Sequence, residues 1–154
     1  MHRISRLIAA PAACAAVLML SLGAVSAQAQ TPAPELTPQI IDLHAMTDAQ
    51  IGPLVPNMGT LRSKTLVVTP QGTVAVQSGD VPKHTHQHSV EIQYVISGTG
   101  TFWLGDKQRH IHPGDLIIIP ENTVHAGSVP VHGRFKVLSI KLPPQQAGDM
   151  QMVQ

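Results

Sequence analysis

The chain has 154 residues, enough for one domain or for one domain with extensions. Its single cysteine rules out an intramolecular disulfide framework and a zinc site built from several thiolates. A net charge of +1 and a charged fraction of 12% argue against a nucleic-acid-binding protein, which needs a concentrated basic surface. The unusual feature is a count of nine histidines, so their positions carry the most information.

The first 29 residues are typical of a secretory signal peptide. A basic start with Arg3 and Arg6 precedes an apolar stretch at 7–25, and small residues follow it. The alternative is a membrane anchor, since the apolar stretch is nearly long enough to span a bilayer. The small residues favour cleavage, which we place after Ala27 or Ala29. We therefore expect a periplasmic or secreted protein with no membrane association after cleavage.

Residues 30–62 are predicted to form an N-terminal arm, because residues 30–39 are rich in Pro, Thr and Ala. A short helix with Thr47 as its N-cap is expected within the arm, and Gly52 and Pro53 prevent it from running far. The apolar residues of the arm could pack on the chain's own barrel or on a second copy, so a homodimer is one expected partner.

Short β-type runs broken by turn residues continue through residues 63–142, and 143–154 form a C-terminal tail. This spacing, without long helical patterns, indicates a β-sandwich or barrel. The run 116–119 is apolar on both faces, so we expect it in a central position. Trp103 should face away from Phe102, either toward a subunit contact or in ordinary core packing. The predicted strands are 65–69, 73–77, 91–96, 101–104, 116–119 and 134–142.

Histidines cluster at His84, His86 and His88, where strand alternation turns all three side chains to one face. Glu91 follows at the start of an apolar strand, and His125 follows a turn that leads back into a strand. Imidazoles with a carboxylate suit a divalent first-row transition metal such as Zn, Fe, Mn, Co, Ni or Cu. The alternative is a set of solvated loop histidines.

These residues resemble the two motifs of the cupin family. The first, G-x5-H-x-H-x3,4-E-x6-G, reads here as Gly79, His84, His86, Glu91 and Gly98, with one residue fewer after the first glycine. The second, G-x5-P-x-G-x2-H-x3-N, reads as Gly114, Pro120, Asn122, His125 and Val129. Asn122 stands where the motif has glycine and Val129 where it has asparagine. Because asparagine tolerates the left-handed conformation, we expect Asn122 to make the same turn.

The resemblance covers residues 63–142 and implies an all-β fold, the double-stranded β-helix or jelly-roll barrel of cupins. It also implies that the metal ligands are His84, His86, Glu91 and His125. His88 is the competing ligand, and it fits less well because too few residues would separate it from Glu91. Gln93 shares a strand face with Glu91 and could orient a metal-bound water or substrate. His110 and His112 flank the apolar Ile111 and are expected to point outward.

Three functions are compatible with such a site. The first is a metal-dependent enzyme, of dioxygenase or isomerase/lyase type, that acts on a small oxygenated molecule. The others are a noncatalytic module that binds a sugar or an organic acid, and a periplasmic metal-binding protein. No second catalytic acid or base is evident, so the catalytic candidates are His88 and Gln93. Export favours Zn or Cu, the stronger binders in the Irving–Williams order, with Fe, Mn and Ni as alternatives.

Overall fold

Antiparallel strands joined by turns make up most of the chain that the computed structural model describes, residues 36–153. The predicted signal peptide (1–29) and the first residues of the predicted arm (30–35) lie outside the described residues. Within 36–153, no helix combines the length and apolar character needed to cross a lipid bilayer. The elements of this part are α1 (Asp48–Ile51), β1 (Arg62–Thr69), β2 (Gly72–Ser78), β3 (His84–His86), β4 (Val90–Leu104), β5 (Lys107–Ile111), β6 (Leu116–Ile119), β7 (His125–Leu142) and β8 (Met150–Met152).

Helix α1 begins where the sequence predicts it. Thr47 is the N-cap: its side chain accepts a hydrogen bond from the Gln50 backbone N–H, and Gln50 Oε1 accepts one from the Thr47 N–H at 2.8 Å. This reciprocal pair is a capping box, which satisfies two N–H groups that the first turn leaves without partners. Gly52 ends the helix after one turn. The predicted cap and the predicted stop are both confirmed.

The arm is bound to the chain's own barrel by two basic residues of β7. Lys136 Nζ donates hydrogen bonds to three backbone carbonyls of the segment 43–46, at 2.6 to 3.2 Å. Arg134 Nε lies 3.0 Å from the carboxylate of Asp48 in α1. Of the two arrangements expected for the arm, these contacts favour packing on its own barrel, at least for residues 43–51.

The two longest strands, β4 and β7, form the centre of the architecture. They pair antiparallel from Val90 opposite Leu142 to Leu104 opposite His125. Strand β7 continues the sheet through β2 and β1, whereas β4 also pairs with β5 and β6. Strand β3 pairs with both β7 and β8. This curled, antiparallel arrangement is the all-β barrel of the double-stranded β-helix type that was expected.

Several predicted strands are parts of longer ones. The runs predicted at 91–96 and 101–104 both belong to β4, because the turn-like residues 97–100 remain paired through register shifts rather than ending the strand. The run predicted at 134–142 is only the second half of β7. Strands β5 and β8 were not predicted, since β5 has four exposed residues and no apolar alternation, and β8 has only three residues.

The core follows strand alternation, as β6 shows. Ile117 and Ile119 are buried, whereas Leu116 and Ile118 are 60% and 59% exposed. Among the described strands, β6 pairs only with β4 and is therefore an edge strand. The expectation of a central position was wrong, because the apolar residues of its outer face are not covered by another element. The homodimer that such an exposed face could form stays a prediction.

Trp103 and Phe102 occupy opposite faces of β4, as the alternation predicts. Phe102 is 4% exposed and belongs to the core cluster. Trp103 is partly exposed, and Lys83 Nζ lies 3.6 Å from the centre of its ring. The tryptophan therefore packs against a cation of its own chain and not in the core.

Two motif glycines allow close approaches of the backbone. Gly79 and Gly98 have φ values of 108° and 87°, a region that side-chain-bearing residues rarely adopt. A Cβ atom at Gly98 would lie 2.8 Å from the backbone of Phe135 on the neighbouring strand β7. Glycine at this position thus serves both the backbone conformation and the β4–β7 contact.

We expect Gly98→Ala to lower the free energy of unfolding by about 3 kcal/mol, because backbone strain and a clash with β7 add together. Gly105→Ala is the matched control, since Gly105 also has a positive φ, 64°, but no atom lies within 4 Å of an added Cβ. Its expected loss is about 1 kcal/mol. Chemical denaturation measures both values, and equal losses would contradict the close approach.

Candidate metal centre

Three strands meet at the group of side chains that the sequence singled out. His84 and His86 come from β3, Glu91 from β4 and His125 from the first position of β7. Their ligand atoms all lie within 4.8 Å of one another, and each residue is at most 4% exposed. His84 and His125 are direct partners in the β3–β7 register. The structure thus places the four predicted ligand residues together.

The same ring nitrogen, Nδ1, has a hydrogen-bond partner in all three imidazoles. Each Nδ1 faces an oxygen acceptor, so a proton on Nδ1 forms a hydrogen bond and leaves Nε2 with a free lone pair. A metal-binding histidine usually has such a partner, which holds its ring in place and raises its basicity. The acceptors are Pro82 O for His84 at 2.9 Å, Asp149 Oδ2 for His86 at 3.2 Å and Thr123 O for His125 at 2.9 Å.

Two of the Nε2 atoms lie against the same carboxylate oxygen. Glu91 Oε2 is 3.2 Å from His86 Nε2 and 3.1 Å from His125 Nε2. Each of these rings therefore has an acceptor at both nitrogens, whereas a neutral imidazole carries one proton. His86 Nε2 is buried and has no hydrogen-bond partner of good geometry. A cation among these atoms would satisfy them together, and the donor set suits a transition-metal ion.

The second oxygen of Glu91 is held from the other side. Glu91 Oε1 accepts hydrogen bonds from Ser139 Oγ at 2.5 Å and from Gln93 Nε2 at 3.0 Å. Gln93 is buried beside Glu91, on the face that strand alternation predicts. These two donors fix the carboxylate so that Oε2 points at the imidazoles.

Electrostatics favour the protonation states that a metal ligand needs. Burial, with help from the neighbouring His125, lowers the pKa of His84 from 6.5 to about 4. His84 is therefore neutral at pH 7, as ligation requires. Burial alone would raise the pKa of Glu91, but its contacts with His125 and His86 outweigh burial and hold it well below the ordinary value. Glu91 is accordingly a carboxylate anion.

His88, the competing ligand, lies outside the group. Strand β3 ends at His86, so the alternation does not continue, and the side chain of His88 is exposed. His110 and His112 are also exposed, on either side of the buried Ile111. Asn122 adopts the left-handed conformation with φ of 60°, as expected for the glycine position of the second motif.

Sequence reasoning missed Asp149, which it assigned to the C-terminal tail. Strand β8 pairs with β3 and brings Asp149 next to His86, 63 residues away in the chain. Its other oxygen accepts the His88 backbone N–H at 2.6 Å. Burial acts to raise the pKa of Asp149, but its hydrogen bonds and the nearby His86 lower it overall. No local sequence pattern predicts a contact between residues so far apart in the chain.

Lys141 was also missed, although a signal existed. Strand alternation from Phe135 through Val137 and Ser139 places Lys141 on the inner face of β7. The side chain is 8% exposed and stands opposite Glu91 in the β4–β7 register. Burial lowers the pKa of Lys141, while the negative charge of Glu91 acts in the opposite direction.

Two adjoining cavities reach the site. A narrow inner cavity of about 40 Å³ is bordered by His84, Gln93 and Lys141, and it has room only for water-sized molecules. An outer cleft of about 400 Å³ shares Lys141 and Leu61 with it. The outer cleft is large enough for a small organic molecule.

Comparison with known proteins relates this chain to a family and to several relatives. A family model for the Cupin domain matches residues 71–141, which include the four residues of the group. The chain is 30% identical over 78 residues to the quercetin 2,3-dioxygenase of Bacillus subtilis, covering 47% of this chain and 23% of that protein. It is 32% identical over 75 residues to an uncharacterized protein of Methanocaldococcus jannaschii, covering 46% and 57%. The chain thus spans less than two thirds of each of these relatives.

Solved structures share the fold. A Klebsiella pneumoniae protein with a double-stranded β-helix domain superposes with a TM-score of 0.59 at 20% identity, covering 77% of this chain and 99% of that one. The Streptomyces nucleoside dehydratase Pac13 superposes with a TM-score of 0.54 at 23% identity, covering 64% and 82%. The barrel topology, both motifs and the family match agree that residues 71–141 are a Cupin domain.

Proposed function

We propose that the chain binds one divalent transition-metal ion through His84, His86, Glu91 and His125 and acts as a metal-dependent enzyme on a small oxygenated molecule. The observation that carries the proposal is the convergence of imidazole Nε2 atoms on Glu91 while every Nδ1 is occupied by an acceptor. A buried set of this kind is costly without a cation, because buried polar atoms need partners.

A bound ion of this class supplies Lewis-acid chemistry, since it polarises an oxygen of a bound molecule and lowers the pKa of a bound water. The chain's own residues prepare the site. Ser139 and Gln93 hold Glu91 in one orientation, and Asp149 does the same for His86. Phe102, a buried residue of the core cluster, lies with its ring centre 6.5 Å from that of His125.

A dioxygenase is the first candidate reaction type, and an isomerase or lyase is the second. The likeness to a quercetin 2,3-dioxygenase over 78 residues supports the first. Of the two candidate catalytic residues, Gln93 borders the inner cavity, whereas His88 is exposed. Gln93 is therefore the better placed to orient a bound molecule. A noncatalytic binding module and a periplasmic metal-binding protein are the competing functions.

We also propose that the chain is exported, on the sequence of its first 29 residues. A protein exported unfolded acquires its ion outside the cytoplasm, where a nitrogen-rich site takes Cu or Zn before Mn or Fe. We expect Zn or Cu in protein purified from its native compartment, with the N-terminus at Gln28 or Gln30. Elemental analysis measures the bound metal, and N-terminal sequencing identifies the first residue. A metal content of mostly Mn or Fe would contradict the proposal of Zn or Cu.

Metal stoichiometry tests the ligand set. We expect His86→Ala to abolish the binding of one ion per chain, because it removes a ligand and leaves Asp149 Oδ2 without its histidine partner. Asp149→Asn should weaken binding by about 10- to 100-fold, the range found for partners of ligating histidines. The matched control is His110→Ala, an exposed histidine of β5, which should bind normally. Equal loss in His86→Ala and His110→Ala would mean that the site is misassigned.

Assays of product formation distinguish the three candidate functions: enzyme, binding module and metal-binding protein. With a panel of polyphenols and 1,3-diketones, an oxygen electrode and mass spectrometry should detect oxygen uptake and product, and both should fall to background in His86→Ala. A mass change or isomerisation without oxygen uptake would support the isomerase or lyase type instead. Saturable binding without product would indicate a binding module. Several ions per chain with little ligand specificity would indicate a metal-binding protein.

A further inference from the structure

Lys141 is a buried cation beside the proposed metal centre. It lies on the inner face of β7 opposite Glu91 and is 8% exposed. A buried ammonium group is costly unless its charge and its N–H groups are matched. The groups around Lys141 therefore indicate which kind of ligand would match its charge and its N–H donors.

Most of the donor capacity of Lys141 is unused. An ammonium group has three N–H donors, and within residues 36–153 the hydrogen-bond partner of Lys141 Nζ is Gln145 Oε1. No carboxylate of this part of the chain lies within 4 Å of Nζ. The two nearby carboxylates are already engaged: Glu91 by its imidazoles, Ser139 and Gln93, and Asp149 by His86 and the His88 backbone.

Lys141 also borders open space. Lys141 lines both the inner cavity next to His84 and the outer cleft of about 400 Å³. Apolar side chains line much of the cleft, among them Val55, Leu61 and Met150. A ligand in this cleft would contact these apolar side chains, polar residues such as Thr65 and Gln77, and Lys141.

We propose that Lys141 binds an oxygen anion of the substrate, and that the substrate is a small monocarboxylate whose apolar body occupies the outer cleft. This inference rests on the proposed function, because the carboxylate would lie next to the proposed metal ion. A divalent ion and Lys141 together with Glu91 and Asp149 leave a net charge of +1, which one carboxylate neutralises. A neutral ligand would leave the buried charge uncompensated.

Benzoate and benzamide are matched probes, since they share a shape and differ in charge. In calorimetric titrations of the metal-loaded protein, we expect Lys141→Met to weaken benzoate binding by at least about tenfold while benzamide binding changes little. A purely structural role of Lys141 would move both ligands alike. Lys141→Arg keeps the charge and should retain the preference for benzoate.

Lys107→Met is the matched control, because Lys107 is an exposed lysine of β5 that lines neither cavity. If Lys141→Met does not fold, Lys141→Gln serves in its place, since it removes the charge and keeps a polar group near Gln145. Benzoate that does not bind the unaltered protein, or that binds Lys141→Met or Lys141→Gln as tightly as the unaltered protein, overturns the inference. The metal content of each sample is read separately, so an unaltered chain that binds no ion overturns the proposed function instead.

Discussion

The antiparallel pairing of β4 with β7 is the constraint on which the rest of the structure depends. Its register sets Glu91 opposite Lys141 and Leu104 opposite His125, so both ends of the ladder contribute to one site. Strand β3 then adds its two histidines by pairing with the start of β7. The bulges near 97–100 allow the long strands to bend around the barrel, which is why Gly98 has a conformation open mainly to glycine.

The interior of the barrel combines an apolar core with a polar cluster. Val95, Phe102 and Ile119 belong to the apolar core, and the buried imidazoles and Glu91 form the polar cluster beside it. Such a cluster is tolerated only because almost every polar atom in it has a hydrogen-bond partner. The exceptions, His86 Nε2 and most of the donors of Lys141, are the atoms that point to an ion and an anionic ligand. The proposed ion and the proposed anionic ligand would therefore lie where buried polar atoms lack hydrogen-bond partners.

The sequence predicted the candidate site better than it predicted the sheet. Motif spacing selected His84, His86, Glu91 and His125 and set aside His88, and the structure brings the same four side chains together. Strand positions were predicted well where apolar alternation was strong. The central placement of Leu116–Ile119 failed because a run that is apolar on both faces can also form an edge strand with an uncovered outer face. The turn-type residues 97–100 were interpreted as the end of a strand, whereas they form bulges within β4.

By itself, the sequence determined the fold class, the helix cap at Thr47 and which residues could be metal ligands, because these depend on local spacing and side-chain chemistry. Only the tertiary structure showed that Asp149 orients His86 and that Lys141 is a buried cation beside Glu91. The physical reason is that these contacts join strands far apart in the chain, through a register that the β4–β7 and β3–β8 ladders set. Local sequence patterns predict which face of a strand a residue occupies, whereas strand pairing determines which residues it contacts on that face.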